Sequence, residues 1–315
     1  MPGRKSNKPA VGFEKTEGFI AACHTPMDSA GDVRLDPIEA QAEFLARNGV
    51  AGVFVNGTTG EGVSLTVPER MAVVERWAAV APEGFRVIVH VGHLCLRDSR
   101  ALAAHAQKVG AWGIGSMPPV FFRPRTVEEL VDCCAEVASA APGLPFYYYH
   151  IPAMTGVRFR MAGFLARAGE RIPNARGLKF TDEDLMDYAE CLAVDGGRFD
   201  CLFGRDEILL SALALGARGA IGSTFNFAAP LYRGIVEAFD AGDLGTARRL
   251  QARSVAMIRA VLRHGAGVAG FKAVMAMVGL DLGPPRLPVC PLTEEQQAAL
   301  RRELEEIGFF EWCEK

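Results

Sequence analysis

Lysine is scarce in this chain. Seven are present among 315 residues (Lys5, Lys8, Lys15, Lys108, Lys179, Lys272 and Lys315), and arginine carries most of the positive charge. A charge excess is missing too. The net charge is −3 and the isoelectric point is near 6.1, which disfavours nucleic acid or a membrane surface as a partner. No apolar run approaches the roughly twenty residues a membrane-spanning helix needs. Residues Met1 to Lys15 are basic and polar, with no apolar core of a secretory signal. Residues 1–17 are therefore expected to form a loose arm. The eight cysteines include no C-x-x-C pair and no thiol with a local histidine partner. That pattern reads as reduced, mostly buried thiols of a cytosolic protein. His90 and His93 lack an acidic partner at ligand spacing, so no metal is expected. Gly57–Gly62 fits neither the G-x-G-x-x-G dinucleotide pattern nor the phosphate loop G-x-x-x-x-G-K-[ST].

What is present is alternation. Half the residues are hydrophobic, enough for a large core. Short strand-like runs alternate with helical patterns from Gly18 to Asp240. Gly18–Cys23, Gly52–Val55, Phe85–Val91, Gly113–Ser116, Phe146–His150, Ala175–Lys179, Phe199–Phe203 and Gly219–Gly222 read as strands. They are apolar on both faces, as parallel strands covered by helices must be. Eight β/α units without a linker predict an α/β fold, a (β/α)₈ TIM barrel over 18–240. Three further helices, Leu244–Arg263, Gly270–Met277 and Thr293–Ile307, predict a helical extension over 241–315, packed on the barrel as part of one domain.

Two stretches stand out within this frame, Tyr147-Tyr148-Tyr149-His150 and Gly177-Leu178-Lys179-Phe180-Thr181. Lys179 follows Tyr149 by 30 positions, the length of one strand–helix–strand unit. Neighbouring parallel strands would then set a phenol beside an amine. Lys5, Lys8 and Lys15 precede the first strand, Lys315 is the last residue, Lys108 suits a helix C-terminus, and Lys272 lies in a C-terminal helical segment. Only Lys179 lies where a strand enters a pocket. A desolvated amine there can attack a ketone and form a Schiff base; the plainer reading is a snorkelling side chain.

In a barrel the chemistry gathers at the C-terminal strand ends. Those ends carry Asn56-Gly57-Thr58-Thr59-Gly60-Glu61-Gly62, Tyr149, Lys179 with Thr181, Gly204-Arg205-Asp206-Glu207 and Gly222-Ser223-Thr224. The glycine loop lets backbone N–H groups and the Thr58 and Thr59 hydroxyls approach a small anion such as a carboxylate. It also suits an ordinary tight turn. Asp206 and Glu207 fit a helix start, and Thr181 fits an N-cap.

The order and spacing of these segments resemble the dihydrodipicolinate synthase / N-acetylneuraminate lyase family of class I, pyruvate-handling aldolases. The resemblance runs from Gly18 to Pro284-Pro285-Arg286-Leu287-Pro288. It is closer to the animal N-acetylneuraminate lyase branch, through Phe54-Val55-Asn56-Gly57-Thr58-Thr59-Gly60-Glu61-Gly62 and Phe146-Tyr147-Tyr148-Tyr149-His150-Ile151-Pro152. It implies reversible cleavage of N-acetylneuraminate to N-acetylmannosamine and pyruvate, with no added cofactor, in a cytoplasmic homotetramer. It also implies roles. Lys179 forms the imine and Tyr149 shuttles the proton. Thr58 and Thr59 hold the pyruvyl carboxylate. Thr181 and Gly204 line the sugar path, and Asp206, Glu207, Gly222 and Ser223 form its hydrogen-bonding wall.

Two positions depart from the family pattern. Dihydrodipicolinate synthases place an arginine two residues after the Tyr-x-x-Pro proline; here Pro152 is followed by Ala153 and Met154. Many members place a relay tyrosine in the loop after the fourth strand; here that loop carries Phe121-Phe122. The rival expectations are an aldolase of the same family for another 2-keto sugar acid, and a non-catalytic homologue that binds a ligand.

Overall fold

The computed structural model describes residues 15–265 and 267–313. β1 (Gly18–Ala21) is followed by α1 (Pro37–Arg47), and β2 (Gly52–Val55) by α2 (Val67–Val80). β3 (Arg86–His90) leads to α3 (Leu96–Lys108), and β4 (Gly113–Ser116) to α4 (Val127–Ala138). After β5 (Phe146–His150) a single turn, α5 (Pro152–Thr155), precedes α6 (Met161–Arg171). β6 (Ala175–Phe180) leads to α7 (Leu185–Ala193), β7 (Asp200–Phe203) to α8 (Leu209–Leu215), and β8 (Gly219–Gly222) to α9 (Phe225–Asp240). The extension consists of α10 (Leu244–His264), α11 (Gly267–Met277), α12 (Glu294–Glu306) and α13 (Phe309–Trp312).

The eight strands pair in chain order, all parallel, and β1 closes on β8. This is the expected (β/α)₈ barrel. Alternate side chains divide the core into two layers. Ile20, Phe54, Ile88, Tyr147, Tyr149, Leu202 and Ile221 fill the barrel interior. The opposite strand faces, with Val53, Val89, Tyr148, Leu178 and Phe203 among them, pack under the helices. Strands buried on both faces must be apolar throughout, which is why their sequences show no alternation.

Local chemistry fixes the helix ends. Thr66 and Glu69 form a reciprocal capping box on α2, and Thr293 and Gln296 form another on α12. Asp184 caps α7 through the Asp187 N–H. Thr181 therefore does not cap that helix, and the acidic stretch after β6 is loop. The helix after β8 starts at Phe225 and carries Pro230 inside it. Proline offers no N–H to the Asn226 carbonyl, and the backbone breaks at Ala228 (φ −132°) just ahead of it.

Two expectations need correction. Among the described residues the extension has four helices, not three. The missed turn, α13, follows an N-cap glycine, Gly308 (φ 72°), and seats Phe309 against Phe227, with ring centroids 6.1 Å apart. Apolar residues in a one-turn helix give no periodicity to read. The loose arm expected over 1–17 does not extend to Thr16. Residues 1–14 lie outside the described residues, but Thr16 is fully buried and its N–H donates to Asp200 Oδ2 at 3.1 Å. Tyr147 donates to the same oxygen at 2.9 Å, so this cluster closes the N-terminal end of the barrel.

Candidate active site

The C-terminal strand ends converge on Lys179. In the β5–β6 pairing Tyr149 lies directly opposite Lys179, so the expected phenol–amine neighbours are realised. Lys179 is buried, 4% exposed. Its Nζ sits over the Tyr149 ring at 4.3 Å and over the Phe54 ring at 4.6 Å. Rings on two strands thus hold the amine in one place, away from bulk water. Tyr148 faces outward onto Phe164, with centroids 4.6 Å apart, and Tyr147 belongs to the closed end. Only the third tyrosine of the run reaches the site.

The Tyr149 hydroxyl lies 3.1 Å from Thr58 Oγ1, which links the phenol to the glycine loop. Thr59 Oγ1 lies 2.7 Å from Ser223 Oγ, joining that loop to the end of β8. The loop glycines are dictated by space. A Cβ at Gly57 would come within 2.7 Å of the Phe54 ring, one at Gly60 within 2.9 Å of the Cys23 carbonyl, and one at Gly62 would overlap the Asn56 carbonyl. Asn56 and Glu61 take left-handed backbone (φ 58° and 53°) to complete the turn.

The remaining expected site residues cluster at the ends of β6, β7 and β8. Thr181 lies two positions beyond Lys179, on the same strand face. Its Oγ1 is buried without a hydrogen-bond partner. It fits only because the residue after β7 is glycine: a Cβ at Gly204 would overlap that oxygen. A buried hydroxyl without a protein partner is available to a ligand or to water. Gly222 plays the corresponding part for Asp206, whose carboxylate occupies the space a Cβ would take. Asp206 is buried, and its Oδ2 accepts from the Thr224 N–H at 2.9 Å and the Thr224 hydroxyl at 2.7 Å. Thr224 Oγ1 and the buried Tyr232 hydroxyl lie 2.7 Å apart. Burial first, and the charge of Glu207 second, push the Asp206 carboxyl up to about 6. Glu207 is half-buried and pairs with Arg205 at 3.1 Å, and Arg205 also binds Glu183. Asp206 and Glu207 begin a 3₁₀ turn, Asp206–Ile208, so their helix-start role and their place at the pocket coexist.

Sequence reasoning missed His90. It stands at the end of β3, edge-on to Tyr149 with centroids 5.7 Å apart. Its Nδ1 lies 3.0 Å from the Asn56 carbonyl, which can only accept, so Nδ1 carries the proton. Nε2 accepts from the Met117 N–H at 3.4 Å. Burial, then the charge of Arg70, hold the ring well below the ordinary imidazole range, so it is neutral. The signal was parity: Ile88 faces the barrel interior, so His90 must as well. Phe54 was missed for a different reason, because a strand phenylalanine carries no mark of a cation contact. Among the described residues no group of His, Cys, Asp and Glu could hold a metal ion.

Comparison with known proteins places the chain in a family. The dihydrodipicolinate synthetase family profile spans residues 15–307. The N-acetylneuraminate lyase of Rattus norvegicus is 43% identical over 300 residues, covering 94% of each chain. The N-acetylneuraminate lyase structure from Proteus mirabilis superposes with a TM-score of 0.91 at 40% identity, over 94% of this chain and 100% of that one. The sialic acid aldolase of Ruminococcus gnavus, solved as its catalytic lysine mutant, superposes at 0.88 with 28% identity, over 94% of this chain and 96% of that one. The barrel, the strand-end constellation and these likenesses agree: the chain belongs to the dihydrodipicolinate synthetase family.

Proposed function

We propose that this chain is a lyase that reversibly cleaves N-acetylneuraminate to N-acetylmannosamine and pyruvate. The observation that carries the chemistry is the register that sets Lys179 beside Tyr149, with the Tyr149 hydroxyl 3.1 Å from Thr58. The rat and bacterial relatives carry the choice of substrate.

In this reading the Lys179 amine attacks the C2 ketone of the open-chain 2-keto acid. Loss of water leaves a protonated imine, which serves as the electron sink. The Tyr149 oxygen takes the C4 hydroxyl proton. The C3–C4 bond then breaks, its electron pair moves toward the imine as an enamine, and C4 leaves as the aldehyde of N-acetylmannosamine. Protonation at C3 gives the pyruvyl imine, and one water hydrolyses it to pyruvate and free Lys179. The water lost in forming the imine is regained here, and no added cofactor takes part.

Thr58 and Thr59 bind the carboxylate with the loop N–H groups. Thr181 donates its unpaired hydroxyl to the sugar chain, Gly204 leaves room for it, and Asp206, Glu207 and Ser223 bind further hydroxyls beside Gly222. The absence of an arginine at Met154 supports a polyhydroxylated aldehyde over a second carboxylate at that wall. Thr58 and His90, both next to Tyr149, are the local groups that position the phenol without help from the Phe121 loop.

We also propose a homotetramer. Phe121 and Phe122 are 78% and 86% exposed in the single chain, an apolar tip that a second copy would cover. Cytoplasmic residence is supported by Cys23, Cys134, Cys191 and Cys201, which are buried free thiols. No helix among the described residues is long and apolar enough to cross a membrane.

The deciding experiment is incubation with pyruvate and borohydride, followed by intact mass and peptide mapping, beside a cleavage assay on a panel of 2-keto sugar acids. A reduced pyruvyl adduct on Lys179 and preferential cleavage of N-acetylneuraminate are expected. An adduct with preference for another acid would reassign the substrate. No adduct on folded protein would leave a ligand-binding homologue.

A further inference from the structure

The Gly57–Gly62 loop is tied to the C-terminal extension by a buried ion pair that the chemistry above does not use. The Glu61 side chain pairs with Lys272 of α11 at 3.0 Å, the two side chains being 3% and 2% exposed. Lys272 also donates to the Pro284 carbonyl at 2.9 Å. The Arg286 N–H donates to Glu61 Oε2 at 2.7 Å. The Arg286 guanidinium donates to the Ser64 backbone carbonyl at 2.9 Å, to the Gly31 carbonyl, and to Glu69 at 2.6 Å. One network therefore joins the loop, the start of α2 and the 284–286 segment.

The placement is specific. Glu61 follows Thr59 by two residues and sits in left-handed backbone, φ 53°. That conformation is unfavourable for glutamate and persists only where its surroundings hold it. The Glu61 N–H donates to the Thr58 carbonyl at 3.0 Å, and Thr25 Oγ1 donates to the Gly60 carbonyl at 2.7 Å. Moving Glu61 therefore moves Thr58 and Thr59. A buried ion pair is a poor device for stability alone, because desolvation offsets its attraction. Its strength is fixing one geometry.

We propose that Glu61, Lys272 and Arg286 are positioning residues, which set the Thr58–Thr59 loop for the keto-acid carboxylate and so make the C-terminal extension part of the substrate site. The proposal rests on reading that loop as the carboxylate cradle.

The test is the pyruvate concentration that half-saturates borohydride trapping at Lys179, with KM and kcat, in the full-length enzyme. Glu61→Gln combined with Lys272→Met removes both charges, so no buried charge is left unpaired. Arg286→Met removes the part-exposed guanidinium and leaves the buried pair. Half-saturating pyruvate and KM should rise about tenfold in the double variant, with kcat changed much less, since a loop displaced by a fraction of an ångström misplaces the carboxylate. Arg286→Met should shift both in the same direction by a smaller factor. A folded double variant with wild-type half-saturation would overturn the proposal. If the double variant does not fold, an unchanged value in Arg286→Met overturns it. If the wild type itself forms no adduct, the lyase reading falls and takes this proposal with it; an adduct in the wild type with unshifted variants removes the positioning role alone.

Discussion

Asp206 gives the sharpest test of the site, because its environment and its proposed task pull in opposite directions. The carboxyl is buried, held by Thr224, and pushed from 3.8 up to about 6 by burial and then by Glu207. Such a group binds its proton more tightly in the folded chain than in the unfolded one. Stability is therefore lost as pH rises from about 4 through about 6, and above that the folded state carries the whole penalty. The gap corresponds to about 3 kcal/mol, at 1.36 kcal/mol per pH unit. Asp206→Asn keeps the shape and one acceptor for Thr224 but cannot ionise. At pH 7 it should be more stable than the parent by up to about 3 kcal/mol. With an unfolding entropy of about 2.1 cal/mol/K per residue, that is a rise in Tm of about 4–5 °C for a chain of this length. The difference should shrink as pH falls and vanish near pH 4. Cleavage should fall in the same variant, chiefly through KM, as expected where a site is built at the cost of stability. The assay is urea or thermal unfolding from pH 4 to pH 8 at one protein concentration. A variant no more stable than the parent at pH 7, with a pH-independent difference, would refute the reasoning: the carboxyl would then not be desolvated.

Three further outcomes are expected. Lys179→Ala should fold with a near-normal Tm yet lose at least about 10³-fold in turnover, measured by pyruvate release; full activity would remove the imine assignment. Tyr149→Phe should still be trapped by borohydride with pyruvate but cleave about 10²–10⁴-fold more slowly, the usual loss for a proton-transfer group; a normal rate would make another group the shuttle. Gly204→Ala should destabilise the chain by about 1–3 kcal/mol, since the added Cβ overlaps Thr181. Its KM should rise more than its kcat falls, and unchanged kinetics would take Thr181 out of the sugar path.

Local information settled much of this protein. Strand and helix order follows from short two-sided apolar runs and from caps such as Thr66 and Thr293, whose chemistry is contained within four residues. The 30-residue interval between Tyr149 and Lys179 encodes their adjacency, because one helix must intervene between neighbouring parallel strands. The scarcity of lysine made Lys179 conspicuous before any contact was known. What the sequence left open depends on side chains that meet across long separations. Gly204 and Gly222 matter as the space occupied by Thr181 and Asp206, which only packing reveals. His90 becomes a neighbour of Tyr149 through barrel closure, not through any motif around it. Read alone, Asp206 fits a helix start; burial and the nearness of Glu207 raise its affinity for a proton. Glu61 and Lys272 are 211 residues apart in the chain, and their pairing exists only because α11 folds back over the strand ends. Propensity and spacing act along the chain and can be read there; desolvation and steric exclusion act across it, and only the tertiary structure decides them.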